Sequence, residues 1–384
     1  MAEPVLNIVA DPAEAPVLRA VPLDALHRQL GAKMVAFAGY ALPVHYPAGV
    51  LAEHNQCRTK AALFDVSHMG QLSLHGPGAA AMLERLTPGD FLALAPGRQR
   101  YTLLLNEAGG IEDDLMVANY GNRLVVVANA SRKDADALHL AAHLPEGVAL
   151  EQHTDRALLA LQGPGAAPAM AALCPPAAAL PFMGVAEAPI AGIPAWISRS
   201  GYTGEDGFEI SVAADHAEAL AQALLAQPGV MPAGLGARDS LRLEAGLCLH
   251  GADIDPLTTP VEANLRFAIS KRRRAEGGFP GDVVIREQLE RGPNRLRVGL
   301  RPAGRTPARA LTRVVAPDGT DAGGITSGGF SPTLNGPIAM GYVRRDHAAD
   351  HSGVNLLVRG KLLPAAVVPL PFVPHTYVKP EPAR

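Results

Sequence analysis

Short apolar runs recur along the chain and predict strands at Gln71–Leu74, Tyr101–Asn106, Leu115–Asn119, Leu124–Asn129, Ala157–Leu161, Ala195–Ser198 and Gly207–Val212. Between them, apolar positions at helical spacing predict helices over Leu23–Leu30, Val50–Ala62, Lys133–His143, Ala214–Ala226 and Ala237–Ala245. Asp215 and Asp239 fall where an early acid favours a helix start, because a carboxylate complements the positive end of the helix dipole. Strands and helices mix without strict βαβα alternation, so the pattern predicts an α+β fold and not a doubly wound sheet.

Two stretches echo each other. Leu74-His75-Gly76-Pro77-Gly78-Ala79-Ala80 is matched by Leu161-Gln162-Gly163-Pro164-Gly165-Ala166-Ala167, each after a strand and before an Ala-rich helix. A dinucleotide-binding loop would need a second strand ending in an acid about 20 residues later. The turn Leu86-Thr87-Pro88-Gly89-Asp90 follows instead, which leaves two similar strand–turn–helix units and hints at a duplicated half-domain. Further on, Lys271–Pro280 reads as a linker. After Arg295 short strands alternate with Gly, Pro and Asp turns, which predicts a separate β-rich domain over 295–384. Residues 1–22 read as an N-terminal arm, and 23–280 as the main α+β region.

Composition narrows the function. The chain has 384 residues, 48% apolar and 18% charged, enough to bury a large core. A net charge of −3 argues against nucleic-acid binding by phosphate neutralisation. Cys57, Cys174 and Cys248 are distant and odd in number, so buried free thiols are expected, with no disulfide framework and no zinc site. No run approaches the roughly 18–20 apolar residues of a membrane helix. The first residues carry Glu3, Asp11 and Glu14, unlike a secretory signal or a mitochondrial presequence, so a cytoplasmic protein is expected. P-loop, nucleophile-elbow and H-E-x-x-H motifs are absent, and the histidines are scattered. Chemistry must then come from acids, Arg and Tyr gripping a substrate or organic cofactor.

Three segments carry such residues. In Gly109-Gly110-Ile111-Glu112-Asp113-Asp114-Leu115-Met116-Val117 a glycine turn enters a strand with adjacent acids. Neighbouring strand side chains point to opposite faces, so one acid can face solvent and the other a cavity. A carboxylate in a partly apolar pocket can stabilise a developing cation; the plainer alternative is an Asp that caps a hairpin. In Ser198–Glu209, Tyr202 lies in a tight turn, and Glu209 lies just inside the next strand, where a carboxylate can accept two parallel N–H bonds from a planar heterocycle. Solvated hairpin charges are the alternative. In Gly234–Arg242, Arg238 lies in a first helical turn, where a cation is disfavoured unless a carboxylate or ligand compensates. Pairing with Glu209 and a ligand would resolve the conflict; an ordinary surface Arg is the alternative. Of lesser weight, Phe64–Gly70 reads as a ligand-lining strand, and Lys271–Arg274 as a solvated charge run or a dock for an acidic partner.

Taken in order, GAKMVAFAGY-ALPVHY, FDVSHMG, GGIEDDLMV, SRSGYTGEDGFEI, PAGLGARDSLRLEAG, TTPVEA, GGFPG, GGITSGGFSPTLN and PFVPHTY resemble the aminomethyltransferase (T-protein) family of the glycine cleavage system, from about Leu23 to Tyr377. The resemblance implies a three-domain cloverleaf with a β-barrel-like C-terminal domain, and 23–280 as a folate-binding region of two interleaved α+β domains. It implies transfer of the methylene carbon from the aminomethylated lipoyl arm of the H-protein to tetrahydrofolate, with release of ammonia. Lipoylated H-protein and tetrahydrofolate are thus the implied partner and co-substrate. Asp114 is the implied catalytic residue; Glu209, Arg238, Tyr377, Tyr202, Tyr101 and Met116 are the implied folate contacts. Two positions depart from the family pattern: Tyr40 stands for its usual Trp, and Phe182 for a pocket Tyr of some relatives.

Overall fold

A computed structural model describes residues 17–378. The acids expected to argue against a targeting signal lie outside the described residues. Of the arm expected over 1–22, the described end is pinned: Arg19 N–H donates to Gly39 O at 3.0 Å, and its guanidinium sits 4.3 Å over the Tyr40 ring.

Helix α1 (Asp24–Gln29) precedes a hairpin of β1 (Lys33–Phe37) and β2 (Tyr40–His45). Helix α2 (Val50–Thr59) follows and turns into β3 (Ala61–Asp65), so the apolar run expected to continue the helix through Ala62 is instead a buried strand. Its residues are buried on both faces, which erases the alternation that would have identified it.

A five-stranded antiparallel sheet comes next. It comprises β4 (Gly70–His75), β5 (Arg98–Leu105), β6 (Ile111–Asn119), β7 (Leu124–Ala128) and β8 (Ala149–Gln152), in the order β5-β6-β7-β4-β8. Helices α3 (Ala79–Leu86) and α4 (Lys133–Ala142) cover it, packing Met82, Leu83 and Leu140 onto Leu72, Leu115 and Val126.

The chain then returns to β3. Strands β9 (Arg156–Gln162), β10 (Val185–Ile190), β11 (Ile193–Ser198), β12 (Gly207–Ala213) and β13 (Val230–Pro232) join it in a six-stranded sheet, β10-β11-β12-β9-β3-β13. Helices α5 (Ala166–Leu173), α6 (Pro175–Ala178) and α7 (Ala217–Leu225) cover one face. Strand β9 feeds two cores: Leu159 and Leu161 face those helices, while Leu158 and Ala160 meet Cys57 and Leu241 on the other side. The sequence echo is a structural one. Gly76 and Gly163 both take left-handed φ, +117° and +119°, after β4 and β9, and a Cβ on either would come within 2.2–2.3 Å of a carbonyl oxygen.

Helix α8 (Leu235–Glu244) begins two residues before expectation, capped at Gly234. Asp239 is therefore beyond the first turn, where it pairs with Arg242 at 2.8 Å. The expected linker is helical: α9 (Lys271–Glu276) starts at Ser270, whose hydroxyl accepts from Arg273 N–H at 3.3 Å. Its charges are not a solvated run. Arg272 pairs with Glu84 at 2.6 Å and Asp90 at 2.9 Å, buried Arg273 donates to Glu84 O, and Arg274 donates to Ile269 O. The acids on and after α3 draw the basic residues inward, which the spacing within the run could not reveal.

After α10 (Asp282–Arg291), strands β14 (Arg295–Pro302), β15 (Arg313–Val315), β16 (Asp321–Ser331), β17 (Gly336–Arg344), β18 (Gly353–Val358) and β19 (Lys361–Val368) close into a barrel, β14-β17-β16-β15-β18-β19. The expected β-barrel-like C-terminal domain is thus present. Cys57, Cys174 and Cys248 are buried free thiols. No helix among the described residues is long and apolar enough to cross a membrane.

Candidate active site

The β5–β6 hairpin turns at Asn106, whose side-chain oxygen accepts N–H bonds from Ala108 and Gly110. Gly110 is required by space: a Cβ there would lie 1.8 Å from Pro256 O. Beyond the turn β6 alternates. Ile111, Asp113, Leu115 and Val117 are buried, while Glu112, Asp114 and Met116 are partly exposed. The two acids therefore point to opposite faces, as expected. The expected solvent face does not exist, however, because Asp113 is 0% exposed. Asp114 keeps the more open side.

Asp114 is held from two directions. The Tyr101 hydroxyl donates to Asp114 Oδ2 at 3.1 Å from the neighbouring strand, across a diagonal in which Leu103 is the direct partner of Asp114. Asn129, just past β7, donates from Nδ2 to Asp114 Oδ1 at 2.6 Å. The same residue secures Asp113, with its backbone N–H at 3.0 Å from Oδ2 and its Nδ2 at 2.9 Å from Oδ1. Burial, and then the charge of Asp113, push the Asp114 carboxyl up to about 7, against the lowering effect of the Tyr101 and Asn129 bonds. Burial and the adjacent Asp114 push the Tyr101 phenol far above its usual range, so it remains an O–H donor.

A second group approaches from the six-stranded sheet. Tyr202, in the loop before β12, donates its hydroxyl to Cys248 O. The Arg238 guanidinium sits 4.8 Å over the Tyr202 ring, and its Nη1 is buried without a hydrogen-bond partner among the described residues. Burial lowers the Arg238 pKa; the nearby Glu209 carboxylate is the largest influence in the opposite direction. The expected Arg238–Glu209 ion pair is not formed. Glu209 instead accepts from the Ser200 hydroxyl at 3.0 Å. Arg238 is thus a half-buried cation whose Nη1 is buried and unused, an expensive arrangement unless a ligand completes it.

Glu209 and Met116 line one cavity between the two sheets, with Gln71, Gln99, Ser198 and Ser211. Tyr377 lies on the C-terminal strap and does not line that cavity. Val373 N–H donates to Glu244 O at 3.0 Å and Thr376 N–H to Gly204 O at 2.9 Å, while the Thr376 hydroxyl donates to Glu205 at 2.5 Å. Tyr377 stacks on Phe182, centroids 4.3 Å apart and planes 10° apart. The departure at Phe182 therefore serves as an apolar platform for Tyr377. Phe64–Gly70 takes a structural part: Asp65 pairs with buried His27 at 2.9 Å and caps Ser67 N–H. His68 is buried, and burial pushes it down to about 4.

Sequence reasoning missed Asn129, which it saw only as the end of a strand. It also missed Phe267, 70% exposed, whose ring lies 5.6 Å from that of Tyr101. No spacing rule links Asn129 to Asp114, because their contact depends on β6–β7 register.

Comparison with known proteins gives one consistent result. The family model of the GCVT N-terminal domain matches residues 23–273, and that of the glycine cleavage T-protein C-terminal barrel domain matches 295–374. The chain is 46% identical over 369 residues to a protein of Gallus gallus named aminomethyltransferase, mitochondrial, covering 94% of each. It is 44% identical over 373 residues to the protein of the same name from Solanum tuberosum, covering 94% of this chain and 92% of that one. The crystal structure of glycine cleavage system aminomethyltransferase T from Bartonella henselae superposes with a TM-score of 0.89, at 44% identity, covering 94% of this chain and 100% of that one.

Proposed function

The chain belongs to the glycine cleavage T-protein family and is an aminomethyltransferase, an enzyme that transfers a one-carbon unit; from that premise we propose that it binds tetrahydrofolate beside Asp114 and takes its carbon from the aminomethylated lipoyl arm of the H-protein. The observation that carries this reading is the unsatisfied, buried Nη1 donor of Arg238 together with the partly exposed Glu209 and Asp114 carboxylates on the two sheets. A flat, amide-rich heterocycle offers acceptors to the first and N–H donors to the second.

The overall change breaks the carbon's bonds to sulfur and to the amine nitrogen. It forms bonds to two folate nitrogens, giving 5,10-methylenetetrahydrofolate, ammonia and the dihydrolipoyl thiol. Folate supplies the nucleophilic nitrogens. Asp114 supplies a fixed negative charge near the carbon as it becomes cationic on losing its amine, a role worth most in a site sheltered from water. Tyr101 and Asn129 fix the direction of that charge through one bond to each carboxylate oxygen. We assign Glu209, Arg238, Tyr202, Tyr101, Met116 and Tyr377 to holding the folate.

The relatives described above are named mitochondrial, which does not support the expected cytoplasmic placement. The direct experiment incubates the protein with aminomethylated H-protein and tetrahydrofolate and follows ammonia and methylenetetrahydrofolate. Equal yields of both are expected. Neither product above a blank lacking the protein would defeat the proposal.

A further inference from the structure

Behind Asp114 lies a second carboxyl pair that the reaction does not use. Asp136 on α4 is 1% exposed, and no N–H or O–H of the described residues reaches either of its oxygens. After burial, the group that acts on it most strongly is the carboxyl of Asp113, which is itself 0% exposed. Two ionised carboxylates facing one another in a closed space repel strongly; one proton between them turns repulsion into a hydrogen bond. Among the described residues no Lys or Arg forms an ion pair with either carboxyl, and the lowering effect of Arg132 on Asp136 is smaller than the raising effects of burial and Asp113. Arg132, at the start of the same helix, is engaged by Glu112 at 2.9 Å. His250 lies 3.8 Å from Asp113, but its Nε2–H donates to Glu112 O at 2.9 Å and its Nδ1 has no partner.

We propose that Asp136 carries a proton that it donates to Asp113, and that this acid pair positions Asp114 by holding Asp113 with both oxygens turned to Asn129. The relay runs Asp136 to Asp113, Asp113 to the backbone N–H and Nδ2 of Asn129, and Asn129 Nδ2 to Asp114 Oδ1. Asp136 is a positioning residue, and its role rests on the reading of Asp114 as the pocket acid. A single shared negative charge behind Asp114 also leaves that residue easier to ionise than two charges would. The groups facing Asp136 are Asp113 and Glu112 from β6 and Arg132 from its own helix; burial and the Asp113 carboxyl push Asp136 up to about 9.

The test compares Asp136→Asn with Asp136→Ala in the complete protein. An amide N–H can donate to Asp113 as the protonated acid does; alanine cannot. Alanine is expected to lower kcat at least about tenfold, as for a displaced catalytic group, and to move the acid limb of the pH–rate profile upward. Asparagine is expected to restore both. The infrared C=O band of a buried protonated carboxyl, read in the parent protein at pH 8 where most of Asp114 is ionised and Asp136 is still protonated, is expected to be largely lost in Asp136→Asn. The folded carboxyl is raised, so its contribution to stability is present in full at low pH and is lost as pH rises through about 9. Asp136→Asn is therefore expected to resist alkaline unfolding better than the parent. Asparagine as impaired as alanine, both variants matching the parent in rate and profile, or no such infrared band would each overturn the proposal. If alanine prevents folding, the band and the alkaline stability of Asp136→Asn decide alone. Neither depends on a catalytic role for Asp114, so a wrong assignment of the pocket acid would leave them unchanged.

Discussion

Asn129 donates to Asp114 at 2.6 Å, the shorter of the two side-chain bonds that fix this carboxylate. Its amide is pinned in turn by Asp113, so the bond has little freedom to lengthen. Asp114→Asn is expected to cut turnover by at least about 10²-fold, the usual scale for losing one preorganised electrostatic group. Asn129→Ala should fall between that variant and the parent, with kcat reduced more than the KM for folate. Single-turnover rates with aminomethylated H-protein check both; near-normal turnover of Asp114→Asn would mean that another group acts.

The Asp114 carboxyl is pushed up to about 7, and the sign of two effects follows. If the anion acts, kcat/KM rises with pH through about 7 and then levels. A profile that falls through that range would indicate that the protonated acid donates. Stability runs the other way. A raised folded pKa contributes stability that is present in full below the ordinary carboxylate range and is lost as pH rises through about 7. Asp114→Asn should therefore melt higher than the parent above pH 7, and the gap should close toward acid. Melting curves across the pH range read this without any assay of activity.

Arg238 presents a half-buried cation with a buried, unused Nη1, and its loss should hurt binding more than folding. Arg238→Met keeps the length of the side chain without the charge. The KM for tetrahydrofolate should rise by about 10–100-fold, as expected for a charged hydrogen bond. The melting temperature of the ligand-free protein should hold or rise, while the shift produced by folate should shrink. A variant that loses stability but binds folate normally would return Arg238 to a structural role.

Tyr377 owes its place to two supports, the strap bonds at Val373 and Thr376 and the stacking on Phe182. Phe182→Ala removes the second and leaves the first. An aromatic pair contributes about 0.5–1.5 kcal/mol beyond burial, so a KM increase of roughly 2–10-fold with kcat nearly unchanged is expected. Tyr377→Phe keeps the stack, and comparing the two separates ring placement from the hydroxyl.

Strands were legible where an apolar run or an alternation stood clear of a neighbouring helix and was bounded by turn residues. β6 and β7 emerged from their apolar patterns, and the twin Gly-Pro-Gly turns from repetition alone. β3, buried on both faces, merged into the preceding helix. Family motifs selected Asp114 from a pair that local pattern could only assign to opposite faces. What the chain order hid was cross-strand and cross-domain: the Asn129 clamp, the Ser200 partner of Glu209, and the acids that turn Arg272 inward. Each of these contacts joins residues whose nearness is set by register or packing and not by spacing.

That last contact changes what the Lys271–Arg274 run can do for a partner. Arg272 is tied to Glu84, Asp90 and Glu276, Arg273 is buried, and half-buried Arg274 is held by the Ile269 and Arg266 carbonyls, so Lys271 is the cation of the run most open to an acidic surface. Arg272→Glu should lower the melting temperature, because it sets a third acid against Glu84 and Asp90, and any loss of H-protein affinity should follow that loss of structure. Lys271→Glu should leave the melting temperature unchanged and weaken H-protein binding. The weakening should fade as salt rises from low ionic strength past about 0.15 M, where the screening length is about 8 Å. Titration calorimetry at two salt concentrations, run beside melting curves, distinguishes the cases. Unchanged affinity in Lys271→Glu at low salt would remove this helix from the docking surface, since its other cations are held by acids and backbone carbonyls of this chain.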